Sequence, residues 1–253
     1  MSLEPGRYRF NGSSLARLEI DSDLRLYVAD SWLTVDGRTV ALERHFARFA
    51  ASAQAQGLVR PVDDFVDAVR GSIPKDGAWF PRIELTERGE LQLSLREAPQ
   101  RRQSIRLWSA SVDPRVEPGI KGPDITALEN LREQARTAGA DEAVILSANK
   151  HVVDGSTTCL LWWRDNRLFS PPAELTRVDS ITVSVVGDIA RELDTELNEE
   201  LATPDQLALS EVWAVNALHG IRPVTTWVEG PETVIDENRL ILWRDMYNDL
   251  RHA

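Results

Sequence analysis

The segment from Gly119 to Trp163 constrains the fold of this chain more than any other stretch. It contains a lysine, then a helical pattern, an apolar strand pattern, a turn, an acidic residue and a second strand pattern. Asp124 stands where it can cap the helix, and Gly139 stands where the helix ends. This order of elements predicts a mixed α/β (α+β) fold in which Lys121 lies at the junction of two elements.

Lys121 is one of only three lysines in the chain, so the sequence around each can be compared. The chain has three lysines and twenty-six arginines. Lys75 and Lys150 lie in turn-forming sequences, whereas Lys121 follows an apolar residue and precedes a helix. A lysine that is partly shielded from water can lose its proton and act as an amine nucleophile. The alternative is a solvated loop lysine with no chemical role.

Composition argues against several other functions. The 253 residues are 42% hydrophobic and carry a net charge of −11, with a pI near 4.9. We therefore expect neither nucleic acid nor a membrane as a partner, because both select a basic surface. No apolar run approaches the roughly 20 residues that cross a bilayer. One cysteine, Cys159, and four histidines provide no disulfide and no metal-ligand spacing, so we expect a cytoplasmic protein without a metal.

The N-terminal part of the chain has the alternation of a sheet with one covered face. The predicted strands are 8–10, 24–28, 31–35, 38–42, 82–85, 91–95 and 104–108, the last of them an addition to the same sheet. The predicted helices are 42–56 and 63–69. A stretch rich in proline and charge, 113–119, is typical of a linker. We therefore expect a small α/β domain at 1–110, a linker at 111–118 and a larger domain at 119–253.

The C-terminal part alternates strands with three helices. The predicted strands are 143–147, 158–163, 211–215 and 223–228. The predicted helices are 124–138, 179–193 and 238–250, the second of them assigned on apolar residues that recur every four positions.

Four short motifs together resemble the class IV (fold-type IV) pyridoxal-phosphate enzymes. This family includes branched-chain and D-amino-acid aminotransferases and aminodeoxychorismate lyase. The motifs occur in the family's order over most of the chain. They are His45-Phe46-Ala47-Arg48-Phe49, Lys121 with a helix ending in Ala-Gly-Ala-Asp-Glu-Ala, Val153-Asp154-Gly155-Ser156, and Asn216-Ala217-Leu218-His219-Gly220-Ile221-Arg222-Pro223-Val224.

The resemblance implies a two-domain D-amino-acid-aminotransferase-like fold, with a barrel-like sheet in the larger domain. It also implies a homodimer that uses pyridoxal 5′-phosphate on a small amino-acid or keto-acid substrate. Lys121 then forms the Schiff base with the cofactor, Asp154 faces the pyridine nitrogen, and Arg48 grips the phosphate. Taken without the family, Asp154 is a turn aspartate and Arg48 an exposed helix arginine.

The remaining site residues follow from the same resemblance. Further phosphate donors are expected at Ile181, Thr182, Asn216 and Ala217, the first two at a helix N-terminus. Substrate contacts are expected from Ser31, Arg82 and His219, each of which could instead be a surface or packing residue.

The chain departs from the family at several motifs. The family's Gly-Ile-Thr-Arg, Asn-Leu-Phe and Glu-Thr-Ile-Arg correspond here to Ser180-Ile181-Thr182-Val183, Cys159-Leu160-Leu161 and Asp30-Ser31-Trp32-Leu33. The leading hypothesis is an enzyme that performs transamination by Schiff-base chemistry. One alternative is an aminodeoxychorismate lyase, which releases 4-aminobenzoate and pyruvate. The other is a non-catalytic member of the fold that acts as an interaction subunit.

Overall fold

The computed structural model describes residues 3–19, 24–57 and 62–252. Its contacts divide the chain into two compact units, each with its own sheet and core. The first unit comprises Met1–Arg101, Ile120–Pro123 and Leu250–Ala253, and the second comprises Arg102–Gly119 and Asp124–Asp249. Lys121 therefore belongs to the first unit and Asp154 to the second.

The described residues up to 101 form eight strands and two helices. In chain order these are β1 (Gly6–Phe10), β2 (Leu15–Arg17), β3 (Leu26–Ser31), β4 (Thr34–Val35), β5 (Arg38–Val40), α1 (Leu42–Ala55), α2 (Asp63–Arg70), β6 (Ala78–Trp79), β7 (Arg82–Thr86) and β8 (Leu91–Leu95).

The described residues after 101 add nine strands and three α-helices. These are β9 (Ile105–Ser109), α3 (Ile125–Thr137), β10 (Glu142–Leu146), β11 (Val152–Gly155), β12 (Cys159–Arg164), β13 (Arg167–Ser170), α4 (Ile181–Glu192), β14 (Leu197–Glu199), β15 (Glu211–Asn216), β16 (Gly220–Val228), α5 (Glu237–Asp249) and β17 (Arg251–His252). A short 3₁₀ helix, Pro204–Leu207, follows Thr203.

The first unit is built on an antiparallel sheet of order β2-β1-β8-β7-β3. Helix α1 turns its buried Phe46, Phe49 and Ala53 into the same core as Phe65 of α2 and Leu93 of β8. Burying several large apolar side chains is the main favourable term in the stability of such a layer. A second, small sheet has the order β17-β5-β4-β6. The Asp36-Gly37 turn joins β4 and β5 as a two-residue hairpin, in which both turn residues have positive φ.

The second unit is built on an eight-stranded mixed sheet of order β11-β10-β9-β16-β15-β12-β13-β14. Strand β9 runs parallel to both of its neighbours, β10 and β16. Trp162 and Trp213 are fully buried in this unit, and Trp213 meets Trp163 and Trp243 edge to face. This sheet positions Asp154 at the outer strand, β11.

Two sequence predictions about these elements are wrong. The strand at 104–108 was expected to extend the first sheet, but β9 pairs with β10 and β16 of the second. Alternation identifies a strand and one covered face, whereas it carries no information on which strand becomes the neighbour. Asp124 directly precedes α3, yet its side chain makes no cap bond to the helix. Its carboxylate instead accepts hydrogen bonds from the backbone of Val116 and Glu117, both at 2.9 Å.

The predicted positions of the helices are confirmed within one or two residues at either end. Gly139 has φ +87° just after α3, which is the left-handed closure that the sequence predicts. The two compact units are defined by contacts between residues, and they are not the same as the domains predicted from the sequence. The predicted domain boundaries at 110 and 119 therefore stay a prediction. Within the described ranges, no helix is both long and apolar enough to span a bilayer. The same part of the chain holds no group of three side chains suited to a metal ion.

Candidate active site

Lys121 is fixed through its backbone. Its carbonyl oxygen accepts a hydrogen bond from the backbone N–H of Ala29 in β3 at 2.7 Å. The next residue, Gly122, has φ +140°, and a Cβ there would lie 2.8 Å from the Val28 Cα. Only glycine fits so close to a neighbouring backbone. The lysine is half-buried beside β3, whereas Lys75 and Lys150 are exposed as predicted.

A buried carboxylate, Asp30, organises the side chains of the first unit near this lysine. Asp30 is 0% exposed, and its Oδ1 lies 2.8 Å from Nδ1 of His45. Arg48 donates from Nε to Oδ2 and from Nη2 to Oδ1, both at 2.8 Å. Helix α1 supplies both partners from one face because positions three apart are neighbours on a helix. The two-pronged guanidinium and the imidazole together satisfy the carboxylate.

The charges in this cluster are strongly coupled. Burial raises the pKa of Asp30, but the His45 hydrogen bond and the Arg48 charge outweigh it and lower that pKa to about 2. Burial lowers the pKa of His45, and Asp30 opposes this shift while Arg48 and Lys121 reinforce it. His45 is therefore neutral at pH 7, with Nδ1–H donating to Asp30.

Two predicted substrate residues lie opposite each other. Ser31 at the end of β3 pairs with Arg82 at the start of β7, so their side chains are cross-strand neighbours. Arg82 donates from Nε to the fully buried Glu84 at 2.6 Å, and Glu84 also binds Arg7 at 3.0 Å. The structure brings Ser31 and Arg82 together, while the arginine is partly neutralised by a carboxylate.

Asp154 is a strand residue rather than a turn residue. It lies in β11, paired with Ile145 of β10, and is 8% exposed. Its Oδ1 is buried and has no hydrogen-bond partner among the described residues. Burial raises its pKa to about 6, although Cys159, Arg115 and Arg177 all act to lower it. A buried carboxylate with an unsatisfied oxygen is costly and is typical of a ligand-binding position.

Arg115 was not predicted from the sequence. Its Nη1 lies 3.8 Å from Oδ2 of Asp154, and it holds Asp113 with hydrogen bonds of 2.9 Å and 2.8 Å. The side chain of Arg115 is only 5% exposed. The Asp124 carboxylate holds the backbone of Val116 and Glu117, which follow Arg115, by hydrogen bonds. The predicted linker is therefore held in place where its Arg115 side chain approaches Asp154. The sequence around Arg115 is rich in proline and charge, which is typical of a linker, and it contains no motif that predicts a contact with Asp154.

Cys159 lies in the same unit as Asp154 and helix α4. Burial raises the pKa of the Cys159 thiol well above its usual value; the charge of Asp154 adds to this shift, and Ser180 opposes it. Ser180 caps α4, since its Oγ accepts from the backbone of Val183 at 3.2 Å. Ile181 and Thr182 form the first turn of that helix, where N–H groups have no intrahelical acceptor. The predicted anion-binding turn therefore lies in the same unit as Asp154.

The turn between β15 and β16 is held by Asn216. Its Nδ2 donates to the Thr157 carbonyl at 3.1 Å, and its Oδ1 accepts from the His219 backbone at 2.8 Å. His219 is 8% exposed, and its Nδ1 accepts from the backbone of Arg102 at 3.2 Å. The side chain of Asn216 thus shapes the turn that also carries Ala217. Both of these His219 hydrogen bonds are made within the second unit.

Comparison with known proteins identifies the family. The family described as amino-transferase class IV matches residues 27–227, which is most of the chain. The chain belongs to the class IV aminotransferases. This is a family of pyridoxal-phosphate-dependent enzymes, as the four motifs predicted.

One curated relative of this class IV chain is an aminodeoxychorismate lyase from Vibrio harveyi. The two are 27% identical over 112 residues, which are 43% of this chain and 41% of the relative. The matched region thus spans about two fifths of that relative's length.

Solved structures resemble the class IV chain over nearly its whole length. A fold IV-transaminase from Curtobacterium pusillum is 20% identical, covers 96% of both chains and has a TM-score of 0.80. A hypothetical aminotransferase from Mycobacterium tuberculosis in a PLP-bound form is 15% identical, with a TM-score of 0.81 over 96% of this chain and 97% of its own. The branched-chain amino acid aminotransferase from Escherichia coli is 17% identical, with a TM-score of 0.78 over 95% of this chain and 92% of its own. These likenesses confirm the predicted fold.

Proposed function

We propose that this class IV enzyme binds pyridoxal 5′-phosphate through Lys121 and acts on an amino-acid or amine substrate by transamination. The observation that carries the proposal is Asp154. Its Oδ1 is buried without a hydrogen-bond partner in the described part of the chain, next to the cation of Arg115. A protonated ring nitrogen of the cofactor is a partner of the right charge for such a carboxylate.

The other residues of the chain fit the same group. The first turn of α4 offers free backbone N–H donors to a phosphate, beside the buried side chain of Thr182. Arg48 adds a guanidinium whose orientation is fixed by Asp30, and Lys121 adds the only half-buried amine among the three lysines. Amine, carboxylate and phosphate donors are therefore all present.

Each residue then has a defined part in the reaction. When bound, the cofactor supplies an electron sink that makes the substrate's α-hydrogen acidic. Lys121 would hold the cofactor and, once displaced by the substrate amine, would take the proton from the substrate Cα and relay it to the cofactor's C4′, as transamination requires. Asp154 keeps the ring nitrogen protonated, and Arg115 favours the ionised form of Asp154. Ser31 and Arg82 are proposed to meet the substrate carboxylate, with His219 as a further contact.

The test uses the protein's visible absorption and one labelling reaction. Protein purified with added pyridoxal 5′-phosphate should absorb visible light, as expected of a lysine Schiff base with this cofactor. Borohydride reduction followed by peptide mass mapping should place the pyridoxyl group on Lys121. Lys121→Ala should lose the label, and Lys150→Ala, at an exposed turn lysine, is the matched control. Label on Lys75 or Lys150, or on no lysine at saturating cofactor, contradicts the proposal. The last result would favour the non-catalytic alternative.

A second candidate function is favoured by one comparison. The curated relative from Vibrio harveyi is an aminodeoxychorismate lyase, and the match covers part of both chains. In that case Lys121 would move protons for an elimination that releases pyruvate. Incubation with aminodeoxychorismate, and separately with amino-acid and keto-acid pairs, distinguishes the two reactions by their products. Free pyruvate identifies the lyase, and a new amino acid identifies the transaminase.

We also propose that the enzyme is a homodimer, as the family resemblance implies. Sedimentation equilibrium at micromolar protein concentration should give twice the mass of one chain. A single-chain mass at that concentration contradicts this proposal.

A further inference from the structure

Glu142 is a buried carboxylate with an unusual number of partners in one turn. It begins β10 and is 0% exposed. Its Oε1 accepts from the backbone of Ala143 and of Thr157, both at 3.2 Å, and from the Ser156 hydroxyl. Its Oε2 accepts from the Thr157 hydroxyl at 2.5 Å. Both carboxylate oxygens are therefore committed to the turn that follows Asp154.

That turn has little freedom to adopt another shape. Gly155 donates its N–H to the Thr158 carbonyl at 2.7 Å. A Cβ at position 155 would lie 2.3 Å from the Thr158 hydroxyl and 3.4 Å from Cγ of Glu142. Asp154 immediately precedes this glycine, so the direction of its side chain depends on the turn.

The same turn supports a second one. The Thr157 carbonyl accepts from Nδ2 of Asn216, and Oδ1 of Asn216 accepts from the His219 backbone. A continuous set of hydrogen bonds thus leads from Glu142 through Thr157 to the β15–β16 turn. This second turn carries Asn216 and Ala217, the proposed phosphate donors.

A buried cation, Arg222, lies in the same sheet as Glu142. It lies in β16, is 1% exposed, and its three guanidinium nitrogens have no hydrogen-bond acceptor among the described residues. Burial lowers its pKa to about 10, and the strongest opposing influence is the charge of Glu142. Weaker influences on the pKa of Arg222 come from Asp141, which raises it, and from Arg132 and Arg102, which lower it. A buried guanidinium without direct partners requires a nearby anion.

We propose that Glu142 is a positioning residue that holds both cofactor-facing turns, 155–158 and 216–219. The proposal rests on the proposed function, because those turns matter chemically only if the cofactor binds there. Glu142 acts through Thr157 and Asn216 rather than by touching the cofactor. It would therefore couple the placement of the acid that faces the ring nitrogen to that of the phosphate donors.

The experiment compares Glu142→Gln with a matched buried carboxylate. Glu211 is 3% exposed in the same sheet, and its side chain accepts hydrogen bonds from Trp213 and Arg239, which lie outside both turns. Hydrogen exchange of the cofactor-free protein should be faster at 155–158 and 216–219 in Glu142→Gln and unchanged there in Glu211→Gln. The dissociation constant of pyridoxal 5′-phosphate should rise on the order of tenfold in Glu142→Gln only.

A double variant separates positioning from charge burial. Glu142→Gln with Arg222→Gln removes both charges, so it should recover thermal stability lost in the single variant while the cofactor affinity stays weak. Affinity that recovers together with stability would overturn the proposal, as would unchanged exchange at 216–219 in a folded Glu142→Gln. If wild type itself takes up no cofactor, the proposed function fails, whereas the exchange data still decide whether Glu142 couples the two turns.

Discussion

Arg48 and Asp30 form a two-pronged ion pair, with both hydrogen bonds at 2.8 Å and the carboxylate fully buried. The sequence predicted Arg48 as a phosphate ligand, and the structure gives the same side chain a structural partner. A guanidinium has five N–H donors, so two bonds to Asp30 orient the group without using all of its donors. The two roles are compatible, and they make separate predictions.

Arg48→Ala should therefore affect both stability and cofactor affinity. Removing one partner of a buried pair leaves Asp30 with an uncompensated charge, and we expect a loss of about 3 kcal/mol in the free energy of unfolding. Urea unfolding of the cofactor-free protein measures this loss. Cofactor affinity should also fall, by about 1–3 kcal/mol, because backbone donors remain. Arg44→Ala, at an exposed position on the same helix, is the control. Equal cofactor affinity in wild type and Arg48→Ala would remove Arg48 from the phosphate site.

The same pair predicts how stability depends on acid. The pKa of Asp30 is lowered from 3.8 to about 2, so its contribution is fully present above pH 4 and is lost as the pH falls toward 2. This contribution is about 2 kcal/mol. The difference in unfolding free energy between wild type and Asp30→Asn should shrink over that interval. Parallel stability curves from pH 5 to pH 2 would show that Asp30 does not titrate as its surroundings imply.

Gly122 should tolerate no side chain. An alanine Cβ would lie 2.8 Å from the Ala29 nitrogen, and the φ of +140° is itself unfavourable for alanine. Gly139→Ala is a matched control, because Gly139 has φ +87° and nothing within 4 Å of the added carbon. We expect Gly122→Ala to lose about 2 kcal/mol more than the control in urea unfolding. It should also slow labelling of Lys121. Equal losses would mean that backbone strain alone acts at both sites.

The sequence predicted the elements around the candidate site where these depend on local pattern. The candidates Lys121 and Arg48 were proposed from short motifs, and the helices α3 and α1 begin and end within one residue of their predicted positions. Asp154 was placed by the same resemblance, although its strand was taken for a turn because Val152–Gly155 is short and ends in glycine. Motifs that lie within one element can thus be found without knowledge of the packing.

The parts that were missed depend on pairing between distant residues. Arg115 lies next to Asp154, although the two are 39 positions apart in the sequence. Glu142 likewise accepts a hydrogen bond from Thr157, and no local pattern predicts this pairing. Strand β9 was given the wrong sheet for the same reason, since its partners β10 and β16 follow it at different distances along the chain. Asp124 was predicted to cap the helix that directly follows it. Its carboxylate instead accepts hydrogen bonds from two backbone N–H groups of the preceding loop. Tertiary contacts decided each of these cases.

Asp154→Asn should have opposite effects on stability and on turnover. The pKa of Asp154 is raised from 3.8 to about 6, so the stability of the neutral acid is present below pH 3.8 and is lost as the pH rises through 6. At pH 8 the charged carboxylate costs the cofactor-free protein about 3 kcal/mol, a penalty that the amide avoids. The variant should therefore melt at a higher temperature than wild type at pH 8, and the gap should close toward pH 4.

Asp141→Asn is the control of opposite sign. Burial raises the pKa of Asp141, but its hydrogen bond with Arg106 outweighs this and lowers the value overall. That variant should melt below wild type at pH 8. In the cofactor-bound enzyme, Asp154→Asn should retain the cofactor yet lower kcat sharply, because an amide cannot hold the proton on the ring nitrogen. Suppose that the difference in melting temperature between wild type and Asp154→Asn does not change with pH, and that kcat is also unchanged. Asp154 would then be only a structural strand residue.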